Sequence, residues 1–137
     1  MIPKFRAYFE QYKRMIYSIG IVNQNMILVD FHDTGDTESL FITDRIHVMQ
    51  STGLFDKNGV EIFENDIVLT TRFIGRADEN GGFYEYEKDY KGVVRMLEGA
   101  WVIGTGKDVV DLWTEADENE VIGNIHQNSD LLEEVEE

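Results

Sequence analysis

Short apolar runs alternate with polar turn sequences along most of the chain. The runs are rich in aromatic and β-branched residues, a composition typical of strands. Most are too short for an ordinary globular helix. We predict strands at residues 4–9, 14–19, 26–31, 60–63, 67–73, 92–97, 100–103, 109–113 and 121–125. Short strands separated by regular turn signals indicate a mainly β protein.

The turn sequences join some of these strands into hairpins. Asp56-Lys57-Asn58-Gly59 places Asn-Gly between apolar residues, and both positions tolerate a positive φ. Glu98-Gly99 links the predicted strands at 92–97 and 100–103 into a second hairpin. The polar segment from Gly75 to Lys91 is predicted to be a loop or an extended hairpin tip. Residues 40–49 fit a helix or a strand, and Phe41, Ile46 and Val48 within them are expected in the core.

A short helix is predicted at the C-terminal end. It covers Asp130 to Val135, with Asn128 or Ser129 as its N-cap and acidic residues in its first turn. A boundary between residues 50 and 51 divides the sequence into two parts. We therefore predict an N-terminal β-rich unit at 1–50 and a larger β-rich unit at 51–137 that carries the helix.

The net charge of the chain is unevenly distributed. The 137 residues carry a formal charge of −15, from 27 acidic and 12 basic side chains. Eleven of the acids lie in residues 108–137, which contain no Lys or Arg. This charge disfavours direct binding to nucleic acid and docking on anionic membranes. The N-terminal part is locally basic, with Lys4, Arg6, Lys13 and Arg14. We expect that it can bind an acidic surface, such as that of a second copy of the chain.

No motif for catalysis or for metal binding is complete. His32, His47 and His126 lack the i, i+4 spacing of a zinc-binding helix. Gly104-Thr105-Gly106-Lys107 resembles part of a phosphate loop, but Thr105 stands where such a loop requires lysine. The sequence contains no cysteine, and so no thiolate ligand or cysteine nucleophile. We expect no catalytic residues, no metal and no cofactor.

Neither a signal peptide nor a membrane span is expected. Residues 1–13 carry charge throughout and have no apolar central region. No stretch approaches the roughly 20 apolar residues that a spanning helix needs. The prediction is a soluble intracellular protein.

An aromatic segment offers the best candidate contact site. Phe83, Tyr84, Tyr86 and Tyr90 are interleaved with charged residues in a segment flanked by glycines. In an extended strand, the three tyrosines would lie on one face. Aromatic side chains are typical anchors of protein contacts, although packing within a hairpin explains the pattern equally well. Stacking on single-stranded nucleic acid is disfavoured by the neighbouring acids.

Three blocks of the sequence resemble the YopX-like proteins of bacteriophages and prophages. They are Ile2–Ala7, Met49–Val68 and Val121–Leu132, which occur in the order of the family and span nearly the whole chain. Asn65 stands where the family often has glycine, and Ser129 where it often has proline. Neither difference threatens the fold, because asparagine tolerates turn geometry and serine can cap a helix.

The resemblance implies an N-terminal β-rich portion followed by an SH3-like barrel roll. It also implies a phage origin and a location in the cytoplasm of the bacterial host, and it brings no catalytic activity with it. Our first hypothesis is a non-enzymatic protein–protein interaction module that contacts a host or phage protein and is able to self-associate. The alternative is a nucleic-acid-linked protein, either a mimic of DNA charge or a barrel that binds nucleic acid.

Overall fold

The computed structural model describes residues 4–106, 109–112 and 119–133. Its strands are β1 (Phe5–Phe9), β2 (Arg14–Asn23), β3 (Met26–Val29), β4 (Glu38–Phe41), β5 (Ile46–Phe55), β6 (Glu61–Phe63), β7 (Asp66–Ala77), β8 (Phe83–Leu97), β9 (Ala100–Gly104), β10 (Val109–Asp111) and β11 (Asn119–Asn124). One short helix, α1 (Asp130–Glu133), follows. The strands form two antiparallel sheets, so the prediction of a mainly β protein is confirmed.

The chain divides into two compact units. Unit 1 is Met1–Gly53 and unit 2 is Leu54–Glu137, a division close to the predicted boundary at residue 50. Strand β5 begins in unit 1, and its last residues belong to unit 2. The last residue of the predicted strand at 109–113 and the predicted helix end at residues 134–135 lie outside the described residues.

Unit 1 is a sheet with the strand order β4-β3-β2-β1-β5. Strand β1 lies inside the sheet, and its residues Ala7, Tyr8 and Phe9 are all buried. Ala7 and Phe9 belong to a core cluster with Ile16, Ile27 and Val29. The core of unit 1 therefore forms around its inner strands.

Two sequence predictions in unit 1 are wrong. Phe41 is 69% exposed rather than buried, because Leu40 beside it packs on the core and successive side chains of a strand point to opposite faces. Arg6 is only 2% exposed, and its guanidinium carbon lies 5.9 Å from the centre of the Tyr17 ring. Arg6 is therefore not available to an outside acidic surface, whereas Lys4, Lys13 and Arg14 are exposed.

Unit 2 contains a sheet with the strand order β10-β9-β8-β7-β11. Its core cluster is Ile62, Val68, Val94, Ile103 and Leu112. The buried Arg72 on β7 donates a hydrogen bond to the carbonyl oxygen of Asp111 on β10, although β8 and β9 lie between these strands in the sheet order. The sheet is therefore strongly curved, while its closure into an SH3-like barrel roll stays a prediction.

The Asp56 carboxylate joins two distant parts of unit 2. Asp56 is 6% exposed, and its Oδ1 accepts hydrogen bonds from the N–H groups of Asn58 and Val60, at 2.8 and 2.9 Å. These bonds close the predicted Asn-Gly turn, in which Gly59 has a φ of 80°. The other oxygen, Oδ2, accepts from the N–H of Val121 on β11 at 2.9 Å. One side chain thus ties the turn to a strand 65 residues further along.

Asn65 makes a second junction beside the first. It has a positive φ of 69°, which asparagine adopts more readily than most residues. Its N–H donates to the carbonyl oxygen of Val94, and its own carbonyl accepts from the N–H of Ile125 at 3.1 Å. The short turn between β6 and β7 is therefore bonded to β8 on one side of β7 and to the residue that follows β11 on the other.

The C-terminal segment after β11 is organised by asparagine side chains. Asn124 accepts at Oδ1 from the N–H groups of His126 and Gln127, each at 3.0 Å. Asn128 accepts from the N–H of Asn124 at 3.2 Å, so its side chain bonds backward along the chain. The helix follows where it was predicted to begin, at Asp130.

We predict that Asp56→Asn destabilises the protein by about 1–3 kcal/mol at neutral pH, since an amide has only one acceptor oxygen for the two sites that the carboxylate serves. Burial raises the pKa of Asp56, but the N–H groups of Val121, Val60 and Asn58 and the charge of Lys57 outweigh it, so the pKa lies below its usual value of 3.8. This stabilisation is present above about pH 4 and is lost as the pH falls through the lowered pKa. Chemical denaturation at several pH values measures both effects.

The matched control is Asp78→Asn, because Asp78 closes a turn of the same type in an exposed position. We expect this variant to cost about 0.5 kcal/mol or less. The difference in stability between the wild type and Asp56→Asn should shrink towards strongly acidic pH. Equal losses in the two variants, or a difference that does not depend on pH, would contradict the assignment.

Candidate functional site

The distal part of the β7–β8 hairpin pairs only with itself among the described residues. Strand β11 pairs with β7 from Asp66 to Thr70, and β9 pairs with β8 from Val93 to Leu97. Beyond these limits the hairpin is a two-stranded ribbon, which we call the arm; it runs from the pair Thr71–Asp89 to the pair Ala77–Phe83, and Tyr90 lies at its base opposite Thr70. The segment predicted as a loop or an extended hairpin tip is thus a regular β-hairpin, in register from Ile67 opposite Val93 to Ala77 opposite Phe83.

The tip of the arm repeats the Asp56 turn. Asp78 accepts at Oδ1 from the N–H groups of Asn80 and Gly82, at 2.8 and 2.7 Å, and Gly81 has a φ of 84°. The sequence Asp78-Glu79-Asn80-Gly81 has the same Asp-x-Asn-Gly pattern as Asp56-Lys57-Asn58-Gly59. That pattern was the signal that could have predicted this hairpin and its register from the sequence.

The register sorts the charged side chains of the arm onto opposite faces. Residues that lie directly opposite each other in an antiparallel pair share a face, and neighbours in one strand alternate between faces. The tyrosine face carries Tyr84, Tyr86, Lys88 and Tyr90 on β8, with Arg72 and Arg76 opposite on β7. The acidic face carries Phe83, Glu85, Glu87 and Asp89. The three predicted tyrosines therefore share one face, as their spacing indicated, and Phe83 lies on the other.

The tyrosine face is the outward continuation of the core-facing side of the sheet. At its base, Thr70 and Arg72 are buried, and Tyr90 opposite Thr70 is half-buried. Towards the tip, Tyr84 is 48% exposed, and its ring centre lies 6.1 Å from that of Tyr86 with an interplanar angle of 31°. The tyrosines thus form a row that runs from the core to solvent.

Cations lie between the rings of this face. The Lys88 ammonium lies 5.1 Å from the centre of the Tyr90 ring, within the range of a cation–π interaction. Arg76 is exposed and directly opposite Tyr84. Sequence reasoning missed both cations as site residues, because their place beside the tyrosines depends on the hairpin register.

Phe83 has a different environment from the three tyrosines. Its side chain is 70% exposed, and a Cβ built on Gly75 would lie 2.5 Å from the tip of its ring. The ring therefore lies across Gly75, where the partner strand has no side chain. On the same face, the Thr71 hydroxyl donates to Asp89 Oδ1 at 2.8 Å. Phe83 and this hydrogen bond hold the ribbon together from its acidic side.

A cleft in unit 1 is the other place where polar side chains gather. It has a volume of about 450 Å³ and is lined by residues of β2 and of the turn after β3. The Ser18 hydroxyl donates to Asp33 Oδ1 at 3.0 Å, and Arg14 Nη2 donates to the carbonyl oxygen of Phe31 at 3.0 Å. These side chains already have hydrogen-bond partners within unit 1, whereas Arg76, Tyr84 and Lys88 on the tyrosine face are exposed to solvent. We therefore take the arm as the candidate site.

One of the three histidines lies beside a carboxylate. His47 Nε2 lies 2.6 Å from Glu10 Oε2, and both side chains are partly exposed. Across the part of the chain that the structure describes, no three residues of the His, Asp, Glu and Cys types are grouped to hold a metal ion. Nor does any described helix have the length and apolar character needed to cross a membrane.

The fold and the arm together define a mainly β protein with two antiparallel sheets, a short C-terminal helix and a ribbon of exposed aromatic residues. The family model of the YopX protein matches residues 4–133, and the chain belongs to the YopX family. The resemblance found in the sequence is thereby confirmed.

A solved structure supports the same fold. The chain is similar to the crystal structure of protein EF1440 from Enterococcus faecalis, with a TM-score of 0.63 and 30% sequence identity. The match covers 96% of this chain and 99% of that chain. The comparison with curated proteins gave no match.

The family-like sequence blocks build the junctions of unit 2. The block Met49–Val68 contains Asp56 and Asn65, and the block Val121–Leu132 contains their partners Val121 and Ile125. The arm lies between these blocks in the sequence. The sequence features that identify the family therefore account for the fold, and the arm has to be understood from its own chemistry.

We predict that Phe83→Ala loosens the arm without unfolding the protein. Removing the ring uncovers the backbone around Gly75, so amides of the arm should exchange with solvent about fivefold faster. The midpoint of global unfolding should stay nearly unchanged, since the side chain is mostly exposed. Hydrogen exchange followed by NMR measures the local effect. The control is Tyr17→Ala, which removes an exposed aromatic side chain of unit 1. If Phe83→Ala leaves the exchange rates of the arm amides unchanged, the role of the Phe83 ring is contradicted.

Proposed function

We propose that this protein is a phage-encoded, non-enzymatic interaction module that acts in the bacterial cytoplasm and binds another protein through the arm. The observation that carries the proposal is the ribbon itself. It extends beyond the strands that flank β7 and β8, and it exposes 70% of Phe83 and 48% of Tyr84. Membership of the YopX family supports the phage origin.

The aromatic residues suit a protein contact because they supply large apolar areas at a low cost in side-chain entropy. Tyrosine is enriched among the residues that dominate binding energy at protein interfaces. In the arm, Tyr84 and Tyr86 lie side by side on one face and present both a ring surface and a hydroxyl group. A partner that covers this row would bury rings now in contact with solvent.

The backbone of the arm supports the same function. An isolated two-stranded ribbon is only marginally stable in water, so a long one is more stable when something covers it. Strand β8 has no neighbour on its outer side among the described residues from Phe83 to Lys91. Such an edge can pair with an extended segment of a partner or of a second copy of the chain.

Site-specific photo-crosslinking in bacterial cells that carry the gene tests this proposal. A photoreactive phenylalanine analogue is placed at Tyr84, at Phe83 and, as a control, at Tyr17, which is 58% exposed outside the arm. We expect discrete protein adducts from the two arm positions and none of the same mass from Tyr17. The chain has a mass of 15.9 kDa, and an adduct of twice that mass would identify self-association. Absence of adducts at the arm, or the same adducts from Tyr17, would contradict the proposal.

A further inference from the structure

We infer that the segment bound by the tyrosine face is an acidic, extended peptide of the partner protein. This inference rests on the proposed function and specifies the chemistry of the partner. It starts from the separation of charge between the two faces of the arm. The chain has 27 acidic and 12 basic side chains, so a surface that gathers bases without acids runs against its composition.

The bases of the arm are concentrated on the tyrosine face. Arg72, Arg76 and Lys88 share it, and no Asp or Glu occupies a position of that face between Thr70–Arg76 and Tyr84–Tyr90. The acids Glu85, Glu87 and Asp89 all lie on the opposite face. Within the described part of the chain, neither Arg76 nor Lys88 forms an ion pair with a carboxylate. Arg76 and Lys88 therefore present positive charge that no carboxylate among the described residues neutralises.

Lys88 is the base of this face that is best placed to bind a carboxylate. Its side chain is exposed, and its ammonium lies 5.1 Å from the centre of the Tyr90 ring. Arg72 lies directly opposite, but it is buried and donates to the carbonyl oxygen of Asp111 at the base of the arm. A carboxylate bound beside Lys88 would gain a charge-assisted hydrogen bond.

The tyrosines favour a ligand that carries apolar groups as well as carboxylates. Tyr84 and Tyr86 offer apolar ring surface between Arg76 and Lys88, so the fitting ligand carries carboxylates together with apolar groups. An extended peptide presents alternate side chains to the same side, with a spacing that matches the residues along β8. The unpaired outer edge of β8 can bond the backbone of such a peptide.

A nucleic acid fits this surface less well than an acidic peptide does. Its phosphates continue in both directions, and a strand longer than the arm would pass other surfaces of a chain with a net charge of −15. The acids of a protein segment can be confined to the length of the arm. Charge complementarity therefore favours a peptide, and single-stranded DNA serves as the competing probe.

Binding of defined probes to the purified full-length protein tests the inference. The probes are an extended peptide of alternating glutamate and valine, a peptide with glutamine in place of glutamate, and an oligothymidylate, each followed by NMR titration at low ionic strength. We expect the glutamate peptide alone to shift the resonances of the tyrosine face. Arg76→Glu and Lys88→Glu should each weaken its binding about tenfold. Arg45→Glu, which makes the same charge change at an exposed residue of unit 1, should not.

Any of the following four results would overturn the inference. Stronger binding of the oligothymidylate would assign the face to nucleic acid, and equal binding of the glutamine peptide would remove the role of charge. Glutamate-peptide binding that Arg45→Glu weakens as much as Lys88→Glu would show a nonspecific charge effect. Absence of peptide binding together with crosslinked adducts at Tyr84 would reject the acidic ligand while retaining the arm as a contact site, so failure here is distinct from failure of the proposed function.

Discussion

The fold of unit 2 depends on the buried carboxylate of Asp56. Burying a charged group is unfavourable unless hydrogen bonds replace its hydration, and three backbone N–H groups do so here. Two of these belong to the turn that Asp56 begins, and the third belongs to Val121 on β11. Because that third bond joins residues 65 positions apart, the carboxylate fixes the turn relative to the edge strand of the sheet. Asn65 adds hydrogen bonds to Val94 and Ile125 beside it.

The arm uses the same turn chemistry for a different purpose. Asp78 closes its turn with the same pattern of backbone bonds, but it is exposed and lies at the end of a ribbon whose strands pair only with each other among the described residues. The Asp56 turn connects elements of the fold, whereas the Asp78 turn sets the register of the arm. That register places the tyrosines with Arg76 and Lys88 and places Glu85, Glu87 and Asp89 on the reverse face. The surface chemistry of the arm thus follows from a short turn sequence.

The sequence was sufficient to predict the strands, the Asn58-Gly59 hairpin and the shared face of the three tyrosines, because these depend on local propensity and on the period of a strand. It was insufficient for Phe41 and Arg6, whose exposure is decided by which face of the sheet packs on the core. The charge separation of the arm was also missed. It appears only when β7 and β8 are aligned, and a shift of one residue would place the side chains of a strand on the opposite face. The Asn80-Gly81 turn determines that register, but this signal lies within a long polar segment that also fits a loop.

The central claim is that the stability of unit 2 resides in the Asp56 and Asn65 junctions, and that the arm is available for contact because the fold does not need it. The free energy of unfolding of a shortened protein tests this claim most directly. Replacing residues 74–86 by Asn-Gly closes the hairpin beyond the pair Phe73–Glu87 and keeps Arg72 with its bond to Asp111. The account predicts cooperative unfolding with a free energy within about 1 kcal/mol of the full-length protein. Loss of cooperative unfolding, or a loss of stability as large as that of Asp56→Asn, would contradict it.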